Sequence, residues 1–447
     1  MPDVGTLGYW STIQKIYHDQ YRCSGMTFSV LRVEGPLTPG MVREALHRLQ
    51  QRHPLLRARF IEEDRYYRFE TAGEICGEPD AGPGNVPLRV LKREDDSHWA
   101  RTLEDEFPRD FDPDTGVLWR TILLQSGDPS DPNELINLIH HSLSDGSSQA
   151  CFAHDLLLAC SRIAEGTDDV AYGEPLPLLP AAERMIPEIP PARRVVDQTS
   201  RGNRSKPAET PWDFEDHKPL EERRPRCLFF QISASKMLDL KARCQREGTT
   251  VSSALLAALL LSASKKADSA HHVTFSFAID LRGYCEPIVS NEHFGCFIMM
   301  EQAVLNLGAT SSFWNLARIC GTELTKRVSE KRNQGFMPRD FHKTVLRLLL
   351  EGNLAKAEAR KQFVGGPCLS NMGILDLPQE YGAFKLKETY FGSPHPSGLY
   401  SVFLCVATLH GKLFCALSYT EPLLSTKTAE SIADSFVSRL QAASREV

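Results

Sequence analysis

The sequence predicts a mixed α/β (α+β) protein of two domains, and three observations carry that expectation. At 447 residues, 42% of them apolar and 24% charged, the chain has the composition of a folded globular protein but exceeds one ordinary core. Strand-like and helix-like segments alternate in both halves, the pattern of mixed sheets with flanking helices. Between Gly173 and Pro225 the texture changes to ten prolines, many charges and little periodicity, which suits a crossover linker. The expected division is an N-terminal domain at 1–172, the linker at 173–225 and a C-terminal domain at 226–447.

In the first half, "MTFSVLRVEG" reads as a strand and turn. "TPGMVREALHRLQQRH" reads as a helix with Thr38 as N-cap, Pro39 at its first position, and Val42, Ala45, Leu46 and Leu49 on one face. "LLRARFIEEDRYYRFE" is expected to form a hairpin, and "LWRTILLQS" and "ELINLIHH" buried strands. Phe152, Leu156, Ala159, Cys160 and Ile163 then form a helical stripe. In the second half, "CLFFQIS", "HHVTFSFAIDLRG", "FGCFIMM", "YSVFLCVATLHG" and "LFCALSYTE" read as strands. "SASKMLDLKARCQREG", stopped by Gly248, and "TTVSSALLAALLLSASKKA" read as helices, as does "STKTAESIADSFVSRL", with Ser425 as its cap.

Several functions are disfavoured at once. A net charge of −6 with interspersed signs leaves no footprint for nucleic acid. The longest apolar runs, such as "ALLAALLL", fall short of the ~20 residues that span a bilayer. The N-terminal segment lacks the basic start and apolar run of a secretory signal. Twelve scattered cysteines with no C-x-x-C pair read as reduced, buried thiols of a cytoplasmic protein. There is no G-x-S-x-G elbow, no phosphate-binding loop, no dinucleotide fingerprint and no zinc-type spacing, so neither a bound metal nor a bound cofactor is expected.

The segment carrying chemistry is "LINLIHHSLSDGSSQACF", where His140-His141 precede Asp145-Gly146 by a fixed interval. A strand end, a turn and a capped helix explain Asp-Gly, but not two histidines at the end of an apolar strand. A buried imidazole costs free energy unless it has a partner, and imidazole is the side chain suited to proton transfer near neutral pH. His271-His272 also begin an apolar strand, but without a following Asp-Gly they read as surface or structural.

With H-H-x-x-x-D-G in place, the chain resembles the condensation-domain superfamily, related in fold to chloramphenicol acetyltransferase. Five ordered pieces carry the resemblance: "RHPLLRARF" (Arg52–Phe60), "FDPDTGVLWRTILL", "IHHSLSDG", "AIDLRGY" (Ala278–Tyr284) and "FGCFIMM" (Phe294–Met300). The late elements of peptide-synthetase condensation domains and the plant-type D-F-G-W-G loop are absent. "CLSNMG" (Cys368–Gly373) is similar instead to free-standing alcohol or polyketide-associated acyltransferases.

The resemblance implies two acetyltransferase-like subdomains in a V-shaped pseudo-dimer with an interface tunnel. His141 would be the general base there. Gly146 would offer backbone approach and an amide to the carbonyl. His140 would be structural. Asp145 would pair with Arg282 or, alternatively, orient His141 in a relay. Ser370 and Asn371 are substrate-binding candidates; Arg52 and Arg57 would brace the N-terminal domain; Phe294, Phe297, Met299 and Met300 read chiefly as core.

The implied co-substrate is an acyl-CoA or a phosphopantetheinyl carrier protein, met in trans because no adenylation or carrier module is fused. The implied acceptor is a small alcohol or amine. Ester formation is the leading expectation. Amide formation by a free-standing condensation enzyme, and a catalytically silent carrier-protein docking module, stay open; an epimerase finds no second acidic motif.

Overall fold

The computed structural model describes residues 9–63, 66–71, 86–111, 117–128, 131–167, 174–187, 213–263, 271–307, 312–334, 361 and 363–445. The middle of the expected linker, 188–212, lies outside them.

The chain forms two compact units. The first comprises Met1–Met185, Leu281–Ile298 and Ile374–Ser393; the second comprises Ile186–Asp280, Met299–Gly373 and Pro394–Val447. Neither is contiguous, so the observed division differs from one at residues 172 and 226. Two later segments, one of them carrying Arg282, belong to the unit that holds the histidines.

The first unit is built on strands β1 (Met26–Glu34), β4 (Leu88–Lys92), β5 (Trp119–Gln125), β6 (Asn133–His140), β11 (Glu380–Tyr381) and β12 (Phe384–Gly392), beside a hairpin of β2 (Ala58–Glu63) and β3 (Tyr66–Thr71). The sheet order is β11-β12-β1-β6-β5-β4. β6 is central and antiparallel to both neighbours, with Met26 opposite His140 and Trp119 opposite Ile139. Every residue of β6 is buried, which explains its nearly continuous apolar reading. Its polar side chains have partners. Asn137 accepts from Thr121 Oγ1 at 2.9 Å and donates to Ser29 Oγ at 3.2 Å, and Glu134 pairs with Arg93 and Arg32.

β12 has no counterpart in the sequence reading. It adds antiparallel to β1, with Phe28 opposite Gly392, where a Cβ would lie 2.4 Å from the Phe28 ring. Its charged Lys385, Lys387 and Glu388 break the apolar signal of a core strand.

Helices α1 (Tyr9–Tyr21), α2 (Pro39–Arg52), α3 (His98–Glu106) and α4 (Gly146–Ala164) complete this unit. Thr38 caps α2, accepting from the Met41 amide at 3.2 Å, and the predicted apolar face is buried. In α4 the stripe Phe152, Leu156, Ala159 and Cys160 is fully buried, while Ile163 is half-exposed. α1 and α3 were not foreseen in the sequence.

The second unit has its own mixed sheet, ordered β7 (Arg224–Ile232), β14 (Lys412–Glu421), β13 (Phe403–Leu409), β10 (Cys368–Ile374), β8 (His271–Asp280) and β9 (Ile298–Leu307). The pairs β7–β14 and β13–β14 are antiparallel, and β8–β10 is parallel. Helix Val251–Ser262 is capped by Thr250 and buried almost throughout, and Ser425 Oγ accepts from the Thr428 amide to cap Thr426–Arg445. "FGCFIMM" is only partly a strand. Regular structure starts at Ile298, and Phe294–Phe297 are loop, in which the Phe297 amide donates to Asp145.

The described cysteines are free thiols, all buried except the half-exposed Cys151. No described helix is long and apolar enough to cross a membrane.

Candidate active site

β6 ends at His140, and the chain turns as the Leu143 amide donates to the His140 carbonyl at 2.9 Å. Asp145 then caps α4, its Oδ1 accepting from the Ser148 amide at 2.9 Å. Strand, turn and capped helix therefore set the backbone positions of both histidines.

The two rings have different surroundings. His140 is completely buried; its Nδ1 accepts from the Ser142 amide at 3.1 Å. The remaining proton is thus on Nε2, which has no hydrogen-bond partner among the described residues. His18 lies edge-on with centroids 4.8 Å apart, and Phe60 likewise at 4.9 Å. Burial, reinforced by the neighbouring His18 and Lys15, drives its pKa well below the ordinary 6.5.

His141 is partly exposed. Its amide donates to the Gly25 carbonyl at 2.7 Å, and its Nδ1 lies 2.7 Å from the Ser144 carbonyl oxygen. A carbonyl only accepts, so Nδ1 carries the proton and Nε2 the lone pair. Burial lowers the pKa of this imidazole from 6.5, against the smaller opposing pull of the Ser144 and His141 carbonyls and of Asp145. The ring is neutral at pH 7, with Nε2 a free base.

Asp145 does not contact His141 Nδ1. Its carboxylate meets Arg282 Nη1 at 2.5 Å and the Phe297 amide at 2.9 Å through Oδ2, besides the Ser148 amide. Burial alone would raise this carboxyl, but Arg282 and the two amides outweigh it and hold its pKa below the ordinary 3.8. Arg282 also donates to Ser148 Oγ (3.1 Å) and the His293 carbonyl (3.2 Å), and covers the Phe297 ring at 4.9 Å. Gly295 is required in this loop: its φ is +157°, and a Cβ would sit 2.2 Å from the Phe297 ring. The Asp145–Arg282 pair therefore fastens the segment Leu281–Ile298 to the start of α4.

Gly146 opens α4, where the first amides have no intrahelical partner. His140, His141, Asp145, Gly146 and Arg282 thus come together in the first unit. Ser370 and Asn371 lie on β10 of the second. Asn371 is engaged there, donating to Ser252 Oγ and accepting from the Gly373 amide, each at 2.9 Å. Phe294, Phe297 and Met299 are buried; Met300 is half-buried. Arg52 pairs with Asp155 at 3.3 Å and Glu292 at 3.5 Å. His53, Cys151 and Asp155 form a group of metal-ligating types. However, Asp155 Oδ2 already meets both the Arg52 guanidinium and His53 Nε2 (2.7 Å), and burial keeps the Cys151 thiol protonated. That cluster is a brace.

The hydroxyls around the motif escaped sequence reasoning. Ser142 Oγ donates to the Ser11 carbonyl (2.7 Å) and Ser11 Oγ to the Ser142 carbonyl (3.1 Å), clamping α1 to the histidine loop. The serine-rich "SLSDGSS" was the available signal, but its partners on α1 are far away in sequence.

Two mixed sheets, with paired histidines and a capping Asp-Gly at the end of a central strand, belong to a fold that this chain shares with solved condensation domains. The chain belongs to the alcohol acetyltransferase family, whose profile matches residues 107–444. It is 32% identical over 149 residues, 33% of its length, to the nonribosomal peptide synthetase kk1B of Curvularia clavata, and spans 1% of that protein's length. Trichothecene 15-O-acetyltransferase TRI3 of Fusarium sporotrichioides is similar in structure with a TM-score of 0.70 or above, namely 0.73, at 14% identity, covering 98% of this chain and 94% of its own. The epimerization domain from the third module of tyrocidine synthetase B aligns with a TM-score of 0.70 at 17% identity, covering 98% and 96%.

Proposed function

We propose that this protein transfers an acyl group from a CoA or carrier-protein thioester to the hydroxyl of a small molecule, with His141 as general base. The observation that carries the reading is the fixed tautomer: with Nδ1–H held by the Ser144 carbonyl, Nε2 presents a lone pair on a neutral ring at pH 7.

The acceptor O–H gives its proton to Nε2 as the oxygen attacks the thioester carbonyl. The C–S bond then breaks, and the imidazolium returns the proton to the departing thiolate. Base catalysis of this kind contributes roughly 10²–10⁴-fold, and positioning of both substrates supplies more. Gly146 offers a backbone amide to the developing oxyanion. Asp145 and Arg282 hold the loop, and His140 is packed neutral behind it.

Membership of the alcohol acetyltransferase family and the structural likeness to a 15-O-acetyltransferase favour an ester product. The likeness to a peptide synthetase supports a second reading, in which the acceptor is an amine and the product an amide.

Incubation with acetyl-CoA, longer acyl-CoAs and acyl-loaded carrier proteins, against panels of alcohols and amines, tests both by mass spectrometry. An acylated alcohol is the expected product. Acylated amines alone would move the assignment to the condensing reading, and carrier-protein binding without any product would replace both with a docking role.

A further inference from the structure

We propose that Thr27 and Gln149 are positioning residues that hold the Ser144 carbonyl against His141 and so select the reactive tautomer. The inference rests on His141 being the proton acceptor proposed above.

Three buried polar side chains from three different elements converge behind the histidine loop. Thr27 of β1 donates its only hydroxyl hydrogen to the Ile139 carbonyl at 3.0 Å. Its oxygen is then purely an acceptor, and two donors reach it: Ser144 Oγ at 3.0 Å and Gln149 Nε2 of α4 at 2.9 Å. The direction of every bond follows from this, since a hydroxyl has one hydrogen and Ile139 offers only a carbonyl. The Gln149 amide orientation is fixed by the same argument.

Thr27, Ser144 and Gln149 are nearly inaccessible, so water does not substitute for a missing partner. The knot joins β1, the end of β6, the histidine loop and the first turn of α4 at one oxygen atom. Ser144 is fixed by its side chain on one side and uses its carbonyl on the other to hold His141 Nδ1 at 2.7 Å. Asp145, engaged by Arg282, makes no contact with that nitrogen. The orienting role thus falls to a backbone carbonyl, and its placement to Thr27 and Gln149.

The test compares Thr27→Val, Gln149→Met and the conservative Thr27→Ser. Histidine-¹⁵N-labelled enzymes, with His141 assigned by its loss in His141→Gln, report the tautomer by two-bond ¹H–¹⁵N correlation. The parent and Thr27→Ser are expected to show His141 protonated on Nδ1. Thr27→Val, or Gln149→Met if the former fails to fold, should shift it towards Nε2 protonation. With acetyl-CoA and an alcohol, kcat should fall by up to about 10²-fold while KM holds.

The acid limb of the pH profile should also move to lower pH, because the carbonyl contact that favours the imidazolium is weakened. The titratable group acting on His141 is Asp145, with the neutral His140 adjacent in the chain, and both are kept in these variants. A folded Thr27→Val enzyme with the parent tautomer and the parent acid limb would overturn the proposal. A tautomer shift with no acyl transfer from any enzyme, parent included, would leave the positioning role standing and remove the catalytic reading instead.

Discussion

His141 and His140 are neighbours whose shifts share a direction and have different consequences. For His141, burial lowers the pKa from 6.5, so kcat/KM is expected to be level at neutral pH and to fall only once the pH drops below 6.5. An acid limb centred at or above 6.5 would contradict that environment. His140 is never exposed to substrate, and its effect is on stability. Its folded pKa lies well below the unfolded 6.5, so from pH 6.5 downwards the unfolded chain binds a proton that the folded chain refuses, and stability declines. His140→Gln should lose less of its denaturation midpoint between pH 7 and pH 5 than the parent does, as measured by urea titration. Both histidines were legible in the sequence because imidazoles at the end of an apolar strand need a reason. The groups that fix their loop were not, because Gly25, which accepts from the His141 amide, Ser11, which bonds Ser142, and Thr27, which bonds Ser144, are distant in the chain and contribute through carbonyls and hydroxyls of ordinary residue types.

The turn that joins β6 to α4 was legible as a turn, since Asp145-Gly146 is a turn pair and Asp145 or Ser147 could cap the helix that follows; the structure gives the cap to Asp145. What spacing could not reveal was that Asp145 serves two elements at once, capping α4 and receiving Arg282 and the Phe297 amide. Arg282→Met leaves a buried carboxylate uncompensated and is expected to cost about 3–5 kcal/mol in unfolding free energy. Asp145→Asn should lower the melting temperature together with activity. Lost activity with unchanged melting would return Asp145 to a role beside His141. β12 was illegible for a different reason. Its exposed or half-exposed Lys385, Lys387 and Glu388 make it read as a polar loop, while Leu386, Thr389, Tyr390 and Phe391 are buried in the ladder beside β1.

The two-domain expectation rested on length and on the proline-rich stretch, and contiguity was its natural form. The observed units instead exchange segments: the first borrows Leu281–Ile298 and Ile374–Ser393 from the later chain. A fragment ending at residue 185 would lack the Arg282 partner of Asp145 and β12, one of the two strands that pair with β1, leaving an open sheet edge. Expressed alone, it should fail to give a cooperative thermal transition, and a sharply melting, monomeric 1–185 fragment would show that the exchange is dispensable. Family membership is shown over residues 107–444, and the proposed chemistry is concentrated at the neutral His141. The most direct measurement is therefore steady-state acyl transfer by His141→Ala, with its melting temperature and circular dichroism recorded alongside the parent. The account predicts an intact fold with kcat/KM reduced at least ~100-fold; a folded variant retaining near-parental turnover on the same substrates would contradict it.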